Sequence, residues 1–504
     1  MMKHIRKFLF LFVGLSFLSC SEGIIDNEIT GQQTLDNFFS NLSEVDRAVM
    51  GSYAALSPQD WWQMDFFRLV GDVCSDDAFK GNSLEGDQRD FGNLADFNIN
   101  PSNEWLDVQW RFAFQGIFRT NLVIKNVPES PITDEQKNRF IAEAKFLRGV
   151  FYFDLVRNFG GVPLLTEPLT VNEANLSRST EEQIWAQIEQ DFLDASAHLP
   201  LKSEQDANNI GRATQGAALA FLAKAHLYQG EFPEAEDYAE DVVLSNEYNL
   251  SDPFSQVWSI DNPNGNGSIF EIQHSFSDIY DSGSALPTVT RSRADGGWGF
   301  ATPSSHLDNF MGNDPRRVHT IIRQGDNVDS QHPSYDTKPT ENMSGRINRK
   351  FYLSNEDRPE TDQHKRSALN HILVRYADLL LMHAEAAYQN GNEPAARSSL
   401  NLVRSRVGLA NVNSSGEQLL QDIYKERRLE LALEGHRYYD LKRTGRLAQA
   451  MQDFLNYNLN ESTDTYDAGN DEGSFFDASK HVLFPVPQAE VDLSGGLITQ
   501  NPGY

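Results

Sequence analysis

The stretch GRATQGAALAFLAKAHLYQGEFPEA, residues 211–235, decides the fold of this chain. Apolar residues recur at helical spacing on both sides of Gly230, and this pattern predicts two helices joined by a short turn. Ala225, Gly230 and Ala235 follow one another at intervals of five residues. The two small alanine side chains allow the helices to approach closely, so the segment predicts an antiparallel helix pair.

The same pattern returns towards the other end of the chain in RYADLLLMHAEAAYQNG, residues 375–391. Ala386, Gly391 and Ala396 repeat the spacing, and both pairs resemble a tetratricopeptide helical hairpin. The pairs are too few and too far apart for a regular solenoid. Helical spacing predicts helices over residues 34–56, 134–158, 180–198, 213–229, 231–245, 371–390, 393–406 and 417–443.

Two regions lack this periodicity. Residues 57–104 contain many Gly, Asp and Asn, and residues 246–370 are rich in Pro, Gly, Asn and Ser, so both are predicted to form loops. The tryptophans expected in the core are Trp105, Trp110, Trp185 and Trp258.

The chain has 504 residues and a formal net charge of −29. Phosphate binding needs clustered Lys and Arg, so this acidity argues against a nucleic-acid partner. It suits a soluble protein in salty surroundings, where like charge keeps molecules apart. The apolar fraction of 39% is ordinary for a globular protein that buries a large core.

The first residues predict an export signal and not a part of the fold. Three positive charges precede the apolar run 8–18, which is too short to span a bilayer. Ser19-Cys20 then resembles a bacterial lipoprotein cleavage site, although Phe17 stands where Leu is usual. We expect residues 1–19 to be removed and Cys20 to be acylated; an ordinary secretory signal is the alternative.

The sequence offers little for catalysis. Cys20 and Cys74 are the only cysteines, so metal sites built on thiolates are excluded. Nucleophile-elbow, zincin and phosphate-loop motifs are missing. Two carboxylates suffice for a glycosidase, however, so the 72 Asp and Glu residues keep a surface hydrolase as an alternative.

Two clusters have both a metal-binding and a structural interpretation. Glu426, Glu430 and Glu434 lie four residues apart on one predicted helix face, and the arginines interleaved with them favour ion pairs within that helix. Residues 262–267 resemble the start of a calcium loop, but Gln273 stands where a bidentate Glu is needed, so a turn is favoured. Structural calcium elsewhere stays open, and no other cofactor is expected.

Five segments carry a family resemblance, in this order: AEAKFLRGVFYFDLVRNFGGVPLL (142–165); GRATQGAALAFLAKAHLYQGEFPEA (211–235); DPRR (314–317); RYADLLLMHAEAAYQNG (375–391) with ERRLELALEGHRYYDLKRTG (426–445); and FPVPQAE (484–490) with QNPGY (500–504). Together they resemble the RagB/SusD family, the starch-utilisation-type nutrient-binding outer-membrane lipoproteins of Bacteroidota.

The resemblance implies an all-α fold, an irregular scaffold of about four tetratricopeptide-like helix pairs with a loop-rich second half. It divides the chain into a signal peptide (1–19), a tether (20–33), an N-terminal helical half (34–245) and a second half (246–504) with an insertion and further helices. It also implies a protein anchored to the outer membrane through Cys20 and facing the exterior. Such a protein would capture oligosaccharide or polysaccharide for a TonB-dependent SusC-like transporter, and it would not be an enzyme.

The binding surface is expected in loops, chiefly residues 57–104 and 276–300, because rings beside Gly, Asp and Asn offer stacking surfaces to sugars. Trp298 is the first candidate, since the glycines around it leave its ring exposed. The further candidates are Trp62, Trp61 and Tyr280 for stacking, and Arg68, Asp76, Asp77 and Arg291 for hydroxyl or carboxylate contacts.

The identity of the ligand stays open. Residues 285–350 carry nine Lys and Arg against seven Asp and Glu, so a uronate or sulfate could bind there. An algal polysaccharide such as ulvan, alginate or laminarin would suit the saline composition. The alternatives are a peptide-binding member of the family, the surface hydrolase, and a helical-repeat adaptor without a small-molecule site. The arginines expected to serve an acidic ligand are 291, 293, 316, 317 and 323.

Overall fold

The computed structural model describes residues 38–57, 61–83, 86–169, 176–276, 283–358 and 367–504. Helices dominate, which confirms the all-α prediction. The α-helices of these ranges are α1 Leu42–Tyr53, α2 Trp61–Arg68, α3 Val70–Val73, α4 Arg89–Ala95, α5 Glu104–Asn126, α6 Asp134–Phe159, α7 Glu181–Ser196, α8 Gln215–Gln229, α9 Phe232–Leu244, α10 Leu286–Thr290, α11 Ser305–Met311, α12 Arg317–Thr320, α13 Pro339–Asn342, α14 Tyr376–Gln389, α15 Glu393–Arg406, α16 Glu417–Leu431, α17 Arg437–Arg443, α18 Leu447–Asn456 and α19 Gln488–Leu493. The strands are β1 Ala78–Gly81, β2 Ser268–Ile272, β3 Phe300–Pro303, β4 Ile321–Arg323, β5 Arg346–Asn348 and β6 His371–Arg375.

Both predicted helix pairs are confirmed. The turn between α8 and α9 is made at Gly230 (φ +77°), and that between α14 and α15 at Gly391 (φ +78°). Only glycine adopts this left-handed backbone without steric cost, which explains the residue at each turn. The alanines that flank the two turns are buried: Ala225, Ala235, Ala386 and Ala396.

The helices before and after residues 246–370 form one scaffold. α6 packs between α5 and α7, α8 packs on α7 and α9, and α14 packs on α15 and α16. α9 also packs against α14 and so joins the two groups. Across this junction Lys224 pairs with Asp378 (3.3 Å), and both side chains are buried.

In the part of the chain that the structure describes, three small antiparallel sheets join segments that are distant in sequence. β1 pairs with β3, β2 with β6 and β4 with β5. The first brings Gly81 opposite Phe300 and so joins the two regions predicted to form the binding surface. None of the helices in the described ranges is long and apolar enough to cross a membrane.

Several predicted loops and boundaries are wrong. Residues 57–104 contain α2, α3, α4 and β1, and residues 246–370 contain short helices and strands. The predicted helix 371–390 begins with β6, and 417–443 breaks between α16 and α17. Leu433 and Gly435 have positive φ there, and a Cβ on Gly71 would lie 1.9 Å from the Gly435 carbonyl oxygen. The break therefore lets α3 approach the scaffold.

The four tryptophans predicted in the core are buried, each at most 8% exposed: Trp105, Trp110, Trp185 and Trp258.

Candidate functional site

The loop from Arg291 to Gly299 connects α10 to β3 and carries Trp298. The backbone amide of Trp298 donates to the Thr288 carbonyl (2.8 Å), and that of Gly299 donates to the Arg291 carbonyl (2.8 Å). A Cβ on Gly297 would lie 2.2 Å from the same Arg291 oxygen, so the loop closes in this form only on a glycine. These contacts fix the backbone from which the tryptophan ring projects.

The Trp298 ring lies on a stack of buried rings. Its centroid is 6.2 Å from that of Phe66, and Phe66 stacks in turn on Trp105 at 4.9 Å, with interplanar angles of 22° in both pairs. Phe66 and Trp105 are fully buried, whereas Trp298 is half-buried. Offset stacking of this kind stabilises a ring orientation. The scaffold therefore orients Trp298 and leaves part of its ring at the surface.

The other predicted stacking residues are Trp61, Trp62 and Tyr280. Trp61 and Trp62 begin α2, the helix that carries Phe66, but their side chains lie outside the described part of the structure, as does Tyr280. The contact of Phe66 with Trp298 still places α2 beside the 291–299 loop.

Arg68 joins two elements beneath this loop. Its guanidinium donates to Asp65 Oδ1 (2.5 Å) and to the Leu56 carbonyl (2.6 Å), while Asp65 Oδ2 accepts the amide of Ala285 (2.6 Å). Burial lowers the pKa of Arg68, and the Asp65 carboxylate opposes that effect. With its side chain 8% exposed, Arg68 joins α2 to Leu56 and holds the Asp65 carboxylate, which in turn fastens α2 to the start of α10.

Asp76 and Asp77 lie inside the scaffold and not on a loop surface. Asp76 accepts two hydrogen bonds from Arg437 (2.7 and 2.9 Å), and Asp77 accepts one from Arg428 (2.8 Å). Burial alone would raise the pKa of Asp76, but Arg428 and Arg437 outweigh it and hold that pKa well below its ordinary value. Both residues are at most 2% exposed, so their carboxylates are committed to joining the chain before β1 to α16 and α17.

The arginines predicted to bind an acidic ligand are engaged by acids of the protein itself. Arg291 is 2% exposed, and its Nε lies 3.8 Å from Asp295. Burial lowers the pKa of Arg291. Acids of the same stretch engage three of the five arginines and acids of other segments engage the remaining two, so this stretch is not an open cationic surface. The remaining pairs are Arg293–Asp87 (2.7 Å), Arg316–Glu426 (2.7 Å), Arg317–Asp308 (3.9 Å) and Arg323–Asp308 (2.7 Å).

The glutamates at 426, 430 and 434 are ion-paired as predicted, but with partners outside their own helix. Glu426 and Glu430 contact Arg316 of the DPRR segment (2.7 and 3.0 Å), and Glu434 contacts Arg375 (2.9 Å). Arg316 is fully buried. The interleaved arginines pair instead with aspartates of other segments. The row therefore fastens distant segments to the scaffold.

The asparagine-rich run at 262–267 forms a turn around a carboxylate. Asp252 accepts hydrogen bonds from the backbone and side-chain amides of Asn266 (2.7 and 2.9 Å) and from Asn262 (3.3 Å). These bonds support the turn interpretation over a calcium loop.

One group of three metal-binding side chains occurs in the described residues: Glu189, His226 and Glu231, whose ligand atoms lie within 4.8 Å of one another. His226 Nδ1 is hydrogen-bonded to Glu231 (2.6 Å), and Gln229 donates to Glu189 (2.6 Å). Hydrogen bonds within the protein account for this arrangement.

The sequence reasoning missed a groove beside α5. It has a volume of about 760 Å³ and lies between α1, α5 and residues 208–212. Arg111, Gln115 and Arg119 line it, and all three are exposed. Their spacing of four residues places them on one face of the helix, a signal that the sequence contains.

Comparison with known proteins agrees with this architecture. Residues 242–504, more than half of the chain, match the family described as "SusD family", and residues 59–227 match the one described as "Starch-binding associating with outer membrane". A SusD-like protein of Formosa agariphila is 26% identical over 99% of both chains. A SusD-like protein of Bacteroides ovatus is 24% identical over 85% of this chain and 80% of its own.

Solved structures have the same fold. A laminarin-binding SusD-like protein matches with a TM-score of 0.78 and 29% identity over 92% of this chain and 100% of its own. Surface glycan-binding protein A from Bacteroides thetaiotaomicron, in complex with laminarihexaose, matches with a TM-score of 0.75 and 24% identity over 91% and 99% of the two chains. The helix scaffold, the order of the five sequence segments and these matches agree, and the chain belongs to the SusD family.

Proposed function

We propose that this protein is a cell-surface lipoprotein that captures glycan and delivers it to a TonB-dependent SusC-like transporter. The observation that carries the proposal is the half-buried Trp298, held on the buried Phe66–Trp105 stack in a chain of the SusD family. A preoriented ring offers a sugar face a flat apolar surface at low entropic cost.

Laminarin oligosaccharides are the first ligands to test, because the solved relative at 29% identity is named for laminarin binding. Ulvan and alginate oligosaccharides are the acidic alternatives. A peptide panel tests the other ligand class, and release of reducing ends from each glycan tests the surface-hydrolase alternative. Binding without catalysis and without a cofactor stays a prediction.

Outer-membrane anchoring through Cys20 is part of the proposal, although Cys20 lies outside the described residues. A family description that mentions association with the outer membrane supports it. One acyl chain binds a membrane only marginally, so stable anchoring requires at least two chains on Cys20. The Cys20→Ala variant should lose palmitate labelling and leave the membrane fraction; a variant that stays membrane-bound would contradict the anchor.

The test of the binding surface is calorimetric titration of Trp298→Ala with laminarihexaose and with the acidic oligosaccharides. Losing a stacked ring should cost about 1–3 kcal/mol, or roughly tenfold to a hundredfold in affinity. Trp298→Phe should retain part of that affinity. Phe475→Ala removes an aromatic residue that is 56% exposed outside this loop, and it should leave binding unchanged.

A melting curve of each variant completes the test. Unchanged affinity in a folded Trp298→Ala protein would remove Trp298 from the site. A large fall in its melting temperature would show that the ring belongs to the core. A wild-type protein that binds none of the glycans would contradict the proposed function itself.

A further inference from the structure

The groove beside α5 is lined on one side by a basic helix face. Arg111, Gln115 and Arg119 succeed one another at intervals of four residues, and eight residues of α-helix rise about 12 Å. The groove therefore presents a row of donors long enough for several groups of one ligand and not only for a single ion.

The cations of this row are weakly compensated. Arg119 donates to the Gly51 carbonyl (2.9 Å), and among the described residues no carboxylate forms an ion pair with it. Arg111 lies 3.8 Å from Asp107, with both side chains more than 40% exposed, and an exposed pair of that kind contributes little. Both guanidinium groups can therefore donate hydrogen bonds to an external anion.

Within the described ranges, the opposite wall adds no free cation. Arg212 pairs there with Glu143 (2.8 Å) and Asp46 (2.7 Å), although its Nη2 is buried without a hydrogen-bond partner. The groove is also lined by Glu271, but that residue is 3% exposed. Its carboxylate accepts hydrogen bonds from the Asn264 amide and the Asn370 side chain. Cationic groups thus predominate on the accessible wall.

This balance is the reverse of that in residues 285–350, where the arginines are engaged by internal acids. The net charge of −29 does not oppose local binding of an anion. Charges more than about 8 Å apart are largely screened at physiological ionic strength, whereas a direct contact with a guanidinium is screened much less.

We propose that this groove binds the carboxylate or sulfate groups of an acidic oligosaccharide and forms a subsite in addition to the Trp298 loop. Guanidinium groups bind both anions in bidentate fashion. The side-chain amides of Asn208 and Gln115 also line the groove and supply donors and acceptors suited to sugar hydroxyls. This subsite rests on the proposed function, because it assumes that the anionic groups belong to a glycan.

The probes are an alginate-derived oligouronate, a sulfated ulvan oligosaccharide and the neutral laminarihexaose, each titrated into the wild-type chain at low and high salt. At least one acidic probe should bind more tightly than the neutral one, and its affinity should fall as salt rises. The double substitution Arg111→Gln with Arg119→Gln should weaken acidic binding about tenfold or more and leave laminarihexaose binding unchanged. Arg119→Lys, which keeps the charge, should lose less.

The matched control is Arg47→Gln on α1, whose side chain is 58% exposed and pairs only weakly with Glu44 (3.9 Å). It removes one positive charge outside the groove, as each half of the double substitution does inside it, and should leave every affinity unchanged. Melting curves verify that each variant is folded.

Three results would overturn the subsite: no preference for an acidic probe in the wild type, acidic binding that survives the double substitution, or an equal loss for laminarihexaose. Tighter binding of a heptaglutamate peptide than of either acidic glycan would overturn the glycan assignment. Trp298→Ala separates the two proposals, because the Trp298 site can bind laminarihexaose even if the groove binds nothing.

Discussion

The helix scaffold and the connection at residues 246–370 are held in place by contacts of different range along the chain. In the scaffold each helix packs mainly on the next one, as α8 does on α9 and α14 on α15. In the connection a buried charge reaches a distant segment, since Arg316, which is fully buried, pairs with Glu426. Apolar side chains pack against any complementary surface, whereas a buried charge needs particular partners. The scaffold can therefore form from repeated local contacts, while the connection is positioned by specific ion pairs.

The buried cations of the connection pair with the glutamates at 426, 430 and 434. Arg316 reaches Glu426 and Glu430, and Lys350 reaches Glu434 (2.6 Å), so cations of the connection meet a row of acids beside the scaffold. The same connection carries Trp298. This row of acids should therefore contribute both to the stability of the fold and to the position of the loop that carries Trp298.

The largest expected effect comes from Arg316→Ala. Removing one partner of a buried ion cluster leaves carboxylates without compensation and should cost about 3–5 kcal/mol of unfolding free energy. Arg323→Ala is the matched control, because Arg323 also pairs with an aspartate, Asp308, but is 43% exposed. It should cost less than about 1 kcal/mol. Urea denaturation measures both, and equal losses would contradict the special role of the buried Arg316 cluster in holding the connection on the scaffold.

The second-largest expected effect is a loss of stability in acid, through the ion pairs of Glu434. Burial alone would raise the pKa of Glu434, but Arg375 and Lys350 outweigh it and hold that pKa at about 2. The reference pKa of a glutamate is 4.5, so the unfolded chain binds the proton first as pH falls. The stabilisation by Glu434, about 3 kcal/mol, is therefore complete above pH 4.5 and lost as pH falls towards 2.

His436 adds to this loss at a higher pH. Burial and the nearby Lys224 lower its pKa to about 4, so stability falls as pH drops below the reference value of 6.5 and continues to fall to about 4. Urea denaturation at pH 7.5, 5.5 and 3.5 should show two successive decreases. Glu434→Gln should start from a lower stability and flatten the more acidic decrease; an unchanged acid limb would refute the role of this carboxylate.

The sequence predicted the scaffold well because its signals are local. Thr133 followed by Gln136 indicates a capping box, and α6 begins there with both hydrogen bonds formed. The connection was predicted poorly because its fully buried arginine, Arg316, pairs with a residue 114 positions away, Glu430. Asp76 and Asp77 looked like loop residues for the same reason, since their partners come from α16 and α17.

The glycines around Trp298 made it the first candidate for stacking on a sugar. Its half-buried position is compatible with that choice, and its role stays a prediction. The Phe66–Trp105 stack that orients it could not be read from spacing. The Arg111–Gln115–Arg119 row could have been found, because an i, i+4, i+8 set of polar residues stands out on a mostly apolar helix.

Gly297→Ala should have a smaller effect on stability than Arg316→Ala, but a specific effect on binding. The added Cβ would lie 2.2 Å from the Arg291 carbonyl oxygen, so the loop must shift, at a cost of about 1–3 kcal/mol. Moving the loop displaces Trp298 and should weaken laminarihexaose binding about tenfold. Gly51→Ala in α1 is the control, because nothing lies within 4 Å of its added Cβ, and it should stabilise the helix by about 0.5–1 kcal/mol. Full affinity in Gly297→Ala would show that the loop does not position the ring.

Thr133→Ala should have the smallest effect and separates scaffold from site most clearly. The Thr133 hydroxyl accepts the amide of Gln136 (3.3 Å), and the Gln136 side chain accepts the amide of Thr133 (3.1 Å). Losing the cap should cost about 1 kcal/mol in urea denaturation, and Thr133→Ser should retain it. The first turn of α6 is exposed, so fraying there should not reach the loop, and laminarihexaose affinity should stay unchanged. If affinity fell in step with stability, the loop would depend on the whole scaffold, and the ion-paired connection would not be what sets the position of Trp298.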